Sequence, residues 1–319
     1  MQIVYLTNRP ALLAGTISFV RAHLTFIDNV LVVTPSRFRA ELNDLGIDVI
    51  ADEDLVLDSD ILDHQGRNYA LRCGLAASQA VDDVFLMSDD DSRPLTDIEE
   101  TSFLMEGRYR RYTFGWLDDW SHKATAFDAG QHSTRQILGL YHFPRLSYAS
   151  HMPQIIDKAL LSEVVELLSP VAQRSPLCEW STYFNIAPAL HPDRFHEPEP
   201  FVTLGWPENF ASWQPSVEPG AFLFENHFPE HYGGEGVFGN IDPEDHSIDA
   251  SVDKVLLWRT YELELLAGER EPIVGGQQPM GGIHKALRRA RAAAVGDPIQ
   301  RDRNRRAEIA ALLRAIRRP

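Results

Sequence analysis

The first ninety residues alternate between short apolar runs and amphipathic segments. The apolar runs predict strands at residues 2–6 (QIVYL), 29–34 (NVLVVT), 47–50 (IDVI) and 83–88 (DVFLMS). Between them, apolar positions at helical spacing predict helices at residues 10–24, 36–46 and 66–80. The last strand is almost continuously apolar, as in a parallel sheet that is buried on both faces. This alternation predicts an α/β fold with a doubly wound sheet.

Three acidic residues, Asp89, Asp90 and Asp91, follow the last of these strands. In open α/β sheets, ligands bind outside the carboxyl ends of the strands. Carboxylates suit Mg²⁺ or Mn²⁺, which commonly bridge protein oxygens to substrate phosphates. The cluster therefore predicts a metal site with a phosphorylated ligand. The alternative is an ordinary acidic turn next to Arg93 and Pro94.

The segment around this turn resembles the nucleotide-binding half of GT-A glycosyltransferases of the family-2-like type. In that family a helix with a pattern near A-x-R-N-x-G precedes an apolar strand that ends in an Asp-x-Asp motif. The corresponding residues here are Ala70, Arg72, Cys73 and Gly74, followed by Asp89 and Asp91. Residues 6–13 (LTNRPALL) likewise resemble the family's first strand and turn.

The resemblance implies a GT-A-like mixed sheet flanked by helices and a division of the chain into three parts. Residues 1–95 would bind the nucleotide sugar, residues 96–282 would form the acceptor-binding and catalytic half, and residues 283–319 would form a basic helical tail. The residues that it implies for donor binding are Thr7, Arg9, Arg72, Asp89 and Asp90.

The resemblance also implies metal ligands, namely Asp89 and Asp91 together with a late histidine beside a mobile loop. His227 and His231 lie in such a segment, FENHFPEHYGGEG. The alternative is that both are loop histidines without a ligand role. A divalent Mn²⁺ or Mg²⁺ ion is the expected cofactor, and Asp91 is the ligand assigned to it first.

Two residues are candidates for the general base. Glu179 stands at the start of a predicted helix, where inverting GT-A enzymes often carry a catalytic carboxylate, although the helix dipole alone also favours a glutamate there. His151 belongs to a His-Met-Pro block directly before a predicted amphipathic helix; the alternative is that it simply caps or fills the helix entrance. The same block resembles Stealth-type sugar-1-phosphate transferases, the second functional expectation.

The charge of the chain is unevenly distributed. The formal net charge is −16, but residues 283–319 hold eleven Lys and Arg against three acidic residues, which leaves −24 on residues 1–282. The acidic body excludes a general nucleic-acid binder. Residues 299–318 predict a basic amphipathic helix that would contact an anionic membrane surface, the body of the protein, or another copy of the chain.

Several classes are excluded by missing features. The turn TNRPALL contains no glycine-rich phosphate loop, which argues against a P-loop kinase, a dinucleotide-dependent dehydrogenase and a sugar nucleotidyltransferase. A leader sequence and a long apolar span are not apparent, so we expect a cytoplasmic protein, and a peripheral position at the inner face of the membrane is the second option. The expected activity is transfer of a sugar from a nucleotide-diphosphate sugar to a glycan or glycolipid acceptor. A non-catalytic nucleotide- or glycan-binding protein is the alternative from another class.

Overall fold

The fold is given by a computed structural model, which describes residues 1–56, 62–121, 125–149, 151–172, 177–204, 222–234, 236–267 and 269. The strands are β1 (Gln2–Leu6), β2 (Asn29–Thr34), β3 (Asp48–Ala51), β4 (Val84–Asp89), β5 (Ser92–Pro94), β6 (Leu104–Met105), β7 (Arg108–Tyr109), β8 (Tyr112–Thr113), β9 (Gly115–Trp116), β10 (Leu146–Ser147), β11 (Gln154–Asp157), β12 (Glu199–Pro200), β13 (Thr203–Leu204) and β14 (Phe224–Asn226). The helices are α1 (Pro10–His23), α2 (Arg39–Leu42), α3 (Asp52–Leu55), α4 (His64–Gly74), α5 (Ala126–Leu140), α6 (Lys158–Ala172), α7 (Glu179–Leu190) and α8 (Ile248–Ala267).

The main sheet has five strands in the order β11-β4-β1-β2-β3. Its four N-terminal strands are parallel, and β11 adds to the edge of β4 in the antiparallel direction. The sheet strands contribute many of the most deeply buried residues of the main hydrophobic cluster, including Ile3, Val32 and Leu86. The predicted fold class, an α/β fold with a mixed sheet flanked by helices, is confirmed. The predicted basic helix at residues 299–318 lies outside the described residues.

A second, smaller sheet joins distant parts of the chain. Strand β14 lies between β13 and β5, parallel to β13 and antiparallel to β5. Because β5 begins only three residues after β4 ends, this small sheet sits next to the acidic turn. Helix α8 packs nearby through a second hydrophobic cluster that contains Leu95, Tyr232 and Trp258.

Two sequence-based predictions of local structure differ from what is observed. The predicted helix at residues 36–46 is present as short helical turns, two of them of the 3₁₀ type, and it ends as predicted at Gly46, which lies in the left-handed region with φ 60°. The amphipathic helix after the His-Met-Pro block does not begin directly, because Gln154–Asp157 forms strand β11 first. The Asp157 carboxylate then accepts from the amides of Ala159 and Leu160, so α6 begins at Lys158.

Within the described part of the chain, no helix is both long and apolar enough to cross a bilayer.

Candidate functional site

The acidic turn lies beside the end of the first strand, as the parallel pairing of β1 and β4 requires. Leu6 is the register partner of Asp89, so the residues that follow each strand meet at the same edge. The Thr7 hydroxyl donates to Asp90 Oδ2 at 2.6 Å and accepts from the Arg9 backbone amide at 2.8 Å. The structure therefore brings together Thr7, Arg9 and Asp90, which the sequence had placed in one site.

Two arginines balance the three carboxylates. The Arg9 guanidinium hydrogen-bonds to both oxygens of Asp90, and its Nη2 also lies 3.1 Å from Asp91 Oδ2. Burial alone would lower the pKa of Arg9, but the hydrogen bond and charge of Asp90, together with Asp91, raise it. Arg72 Nη2 donates to Asp89 Oδ1 at 2.5 Å. Adjacent like charges are tolerated here because each carboxylate has a cationic partner.

Arg72 connects the acidic turn to Glu179. Its Nε lies 3.3 Å from Glu179 Oε1, and its guanidinium stacks 4.4 Å from the ring centroid of Trp180. Gln65 Nε2 donates to Glu179 Oε2 at 3.0 Å. Glu179 is the first residue of α7, as predicted, and its burial raises its pKa while Arg72 lowers it. Asp89, Arg72 and Glu179 therefore form one ionic network, in which Arg72 and Glu179 are buried and Asp89 is partly exposed.

Asp91 lies beside His227 across the small sheet. The His227 amide donates to the Asp91 carbonyl at 2.7 Å, which continues the pairing of β14 with β5. Asp91 Oδ1 and His227 Nδ1 are both buried, and neither has a hydrogen-bond partner within the described residues. A carboxylate oxygen and an imidazole nitrogen at the ends of neighbouring strands, both without a hydrogen-bond partner among those residues, are suitable ligands for a divalent cation.

The protonation states at this pair are also perturbed. Burial lowers the pKa of His227 to about 3, and the nearby positive charges of Arg93 and Lys254 act in the same direction. The imidazole is thus neutral at physiological pH, which is the form that binds metals. Burial raises the pKa of Asp91, whereas nearby His151 lowers it.

No group of three or more His, Cys, Asp and Glu side chains in the described ranges is arranged so that it could hold a metal ion. Asp91 and His227 offer two ligands, so an ion bound here would need further ligands from substrate or water, as Mg²⁺ usually does. His231, the other predicted histidine ligand, lies against the second hydrophobic cluster, where its ring is 5.6 Å from the ring centroid of Trp258, and it is 5.4 Å from the ring centroid of Phe228.

His151 occupies a strained turn near the same site. It has a left-handed backbone with φ 46°, which is uncommon for a residue other than glycine. Its carbonyl accepts from the Thr203 hydroxyl at 3.3 Å, and its charge acts on Asp91. Backbone strain of this kind concentrates at functional sites, because the surrounding structure must hold it in place.

The sequence did not reveal a buried charge network behind His227. Lys254 of α8 pairs with Glu225 of β14 at 3.2 Å, with both side chains only 1% exposed. Tyr232 donates to the same carboxylate at 2.6 Å, and Arg93 is the register partner of Glu225 on β5. Arg93 and Lys254 are more than a hundred positions apart in the chain, so no local sequence pattern links them.

Neither a protein-family model nor a curated protein matches the chain in sequence. Two solved structures with similar folds are glycosyltransferases. Mouse xyloside xylosyltransferase 1 in its apo form shares 12% identity at a TM-score of 0.40, over 72% of this chain and 97% of that one. The galactosyltransferase LgtC, in complex with donor and acceptor sugar analogues, shares 12% identity at a TM-score of 0.40, over 82% of this chain and 96% of that one.

Proposed function

We propose that the protein is a metal-dependent glycosyltransferase that moves a sugar from a nucleotide-diphosphate sugar to a hydroxyl of a glycan or glycolipid acceptor. The observation that carries the proposal is that Asp91 Oδ1 and His227 Nδ1, at the carboxyl edge of a parallel sheet, are both buried and have no hydrogen-bond partner among the described residues. Arg9 and Thr7 lie at the same edge. This is where open α/β sheets bind nucleotides.

In this proposal Asp91 and His227 hold Mn²⁺ or Mg²⁺, with Asp89 as a further candidate ligand. The ion would supply positive charge to the leaving diphosphate. Arg9 has 48% of its side chain exposed, so its guanidinium can reach a phosphate or a ribose while its inner face stays on Asp90. Arg72 is buried and instead fixes Asp89 in position.

Either His151 or Glu179 would take the proton from the attacking acceptor hydroxyl. What supports His151 is its partly exposed position, its strained backbone and its influence on Asp91. Glu179 is buried against Arg72 and Gln65, an arrangement that suits a positioning residue for the Asp89 side of the site. Its raised pKa is also what a general base requires, so Glu179 is kept as the second candidate.

A sugar-1-phosphate transferase is the second candidate function. The proximity of His151 to Asp91 favours it, since an imidazole beside a metal-binding carboxylate also suits phosphoryl transfer. The two reactions release different nucleotides. Sugar transfer leaves a nucleoside diphosphate, whereas sugar-phosphate transfer leaves a nucleoside monophosphate.

Calorimetry tests the metal site directly. UDP, GDP, ADP and dTDP are titrated with and without Mn²⁺ into the wild type, Asp91→Asn, and the control Asp28→Asn. The Asp28 side chain is 84% exposed and precedes β2, at the amino-terminal end of the parallel strands and so at the other end of the sheet from the acidic turn. We expect Mn²⁺-dependent affinity for one nucleotide to fall by about 100-fold or more in Asp91→Asn, since even outer-shell changes cost about 10- to 100-fold. Unchanged Mn²⁺-dependent affinity for the nucleotide in both Asp91→Asn and Asp89→Asn would refute the proposed metal site.

A further inference from the structure

Helix α8 presents a row of exposed apolar side chains. Ile248, Val252, Leu256 and Leu263 are 54%, 37%, 48% and 67% exposed, respectively, and their spacing places them on one side of the helix. Arg259 lies in the same row, between Leu256 and Leu263. The opposite side of α8 packs into the second hydrophobic cluster. An exposed apolar row of this length is typical of a surface that binds a partner.

An acidic edge runs along one side of this row. Asp249 and Asp253 are exposed, and each directly follows an apolar residue of the row. Because successive residues of an α-helix are turned by about 100°, both aspartates lie on the same rotational side of the row. A complementary partner therefore carries an apolar face with positive charge along one edge.

The chain itself contains such a segment after α8. Residues 299–318 lie outside the described residues, but their sequence places Ile309, Leu312, Leu313 and Ile316 at the helical spacing i, i+3, i+4 and i+7. Helix α8 has 20 residues and is about 30 Å long, whereas the stretch of about 30 residues before this segment reaches about 100 Å when extended. The segment is therefore tethered within reach of every turn of α8.

The charges of the segment match those of α8 in one orientation. On a helical projection, Arg306 and Arg317 lie along one edge of its apolar positions, whereas Arg301 and Glu308 balance each other along the other edge. Seen from its own N-terminus, each helix thus has its charged edge on the same rotational side. Two helices that face each other bring such edges together when they run antiparallel, and they separate the edges when they run parallel.

We propose that residues 299–318 form a helix that docks antiparallel on the exposed apolar row of α8, with Ile316 near Ile248 and Arg317 beside Asp249. A second copy of α8 is a poorer partner because it brings another acidic edge, and that edge also repels an anionic membrane. The contact covers the apolar positions of the segment and leaves the arginines on its far side exposed. This inference is independent of the proposed function.

Pairs of engineered cysteines in the full chain test the contact and its direction. Under mild oxidation, Ile248→Cys with Ile316→Cys should form an intramolecular disulfide, because the antiparallel arrangement brings these positions together. The matched control combines Leu263→Cys with the same Ile316→Cys. These two positions are about 20 Å apart in the antiparallel arrangement and adjacent only in a parallel one. Mass spectrometry identifies which cysteines are joined.

Limited proteolysis of the full chain measures the strength of the contact. Trypsin cleavage after Arg306 should be about 10- to 100-fold faster in Leu256→Asp than in the wild type, because burial of one leucine side chain is worth a factor of this size. The control is Leu140→Asp on α5, which changes another exposed leucine and should leave the rate unchanged. Asp249→Arg should also accelerate cleavage, and adding Arg317→Asp should slow it again.

Each other outcome overturns the inference. A disulfide that joins two chains would identify a second copy as the partner of α8. Equal cross-linking of both cysteine pairs, or of neither, contradicts a defined antiparallel contact. Equal cleavage rates in the wild type and Leu256→Asp show that the row on α8 does not protect the segment. Protection that appears only when phosphatidylglycerol vesicles are added would assign the apolar positions of the segment to a membrane surface.

Discussion

The pair formed by Lys254 and Glu225 should contribute strongly to stability, because it attaches α8 to the small sheet through a buried contact. The two charges lie 3.2 Å apart, and each side chain is 1% exposed. At an effective dielectric constant of about 20, Coulomb's law gives an attraction of about 5 kcal/mol at this distance. Removing one partner of such a pair costs about 3–5 kcal/mol, because the other charge stays buried without compensation.

The surroundings predict which single substitution costs more. Glu225→Gln would leave Lys254 buried without its carboxylate and would remove a nearby negative charge from Arg93, which keeps its pair with Glu244 at 3.7 Å. Lys254→Met would leave Glu225 with the charge of Arg93 and the Tyr232 hydroxyl. We therefore expect Glu225→Gln to be the more destabilising change. The double variant should lose less stability than the sum of the single variants, since neither charge is then stranded.

Chemical unfolding monitored by tryptophan fluorescence measures these effects, because Trp258 packs in the same cluster as Tyr232. The matched control is Glu199→Gln, which breaks a partly exposed pair with Arg110 and should cost less than about 1 kcal/mol. Losses below about 1 kcal/mol in both Lys254→Met and Glu225→Gln, equal to the control, would refute the argument that burial makes this pair strong.

Two further predictions concern catalysis and the tail. At saturating donor and Mn²⁺, His151→Ala should lower kcat by about 10²- to 10⁴-fold and retain donor affinity. Glu179→Gln should mainly weaken donor binding, because Arg72 loses its partner. The reverse result in steady-state kinetics would make Glu179 the base. Deleting residues 297–319 should reduce sedimentation with anionic liposomes in a salt-sensitive way, because the segment is basic and amphipathic, and failure of the intact protein to bind them contradicts this.

The N-terminal half of the fold could be predicted because its signals are local. Strands β1 and β2 begin and end at the predicted residues, and α1 begins at Pro10, where proline suits the first turn of a helix. Parallel pairing then follows from the alternation of strands and helices, so the meeting of Thr7 with Asp90 is a direct consequence.

The rest depended on contacts between distant segments. Strand β11 is only four residues long and continues without a turn signal into the apolar pattern of α6, so its periodicity could not separate the two. The small sheet pairs Ser92 with Asn226, which are far apart in sequence, and nothing local in either segment specifies that partner. The same pairing brings Asp91 next to His227, where Asp91 Oδ1 and His227 Nδ1 have no hydrogen-bond partner in the part of the chain that the structure describes.

The arginines in the site illustrate the same limit. Arg72 was placed in the site by resemblance, but its buried position between Asp89 and Glu179 comes from the packing of α4 against α7. Arg93 was read only as part of a turn, although it is buried and donates to the Pro243 carbonyl. Charge balance inside a fold is therefore a property of the assembled structure and is not visible in the order of the residues.

The central claim is sugar transfer from a nucleotide-diphosphate sugar, and the nucleotide released in turnover tests it most directly. The wild type and Asp91→Asn are incubated with a panel of sugar nucleotides and a panel of glycan and glycolipid acceptors, with and without Mn²⁺, and the products are identified by mass spectrometry. The account predicts Mn²⁺-dependent release of a nucleoside diphosphate from one donor by the wild type and its loss in Asp91→Asn. Release of a nucleoside monophosphate would instead identify a sugar-phosphate transferase, and tight Mn²⁺-dependent nucleotide binding without any turnover would identify a binding protein; either result contradicts the account.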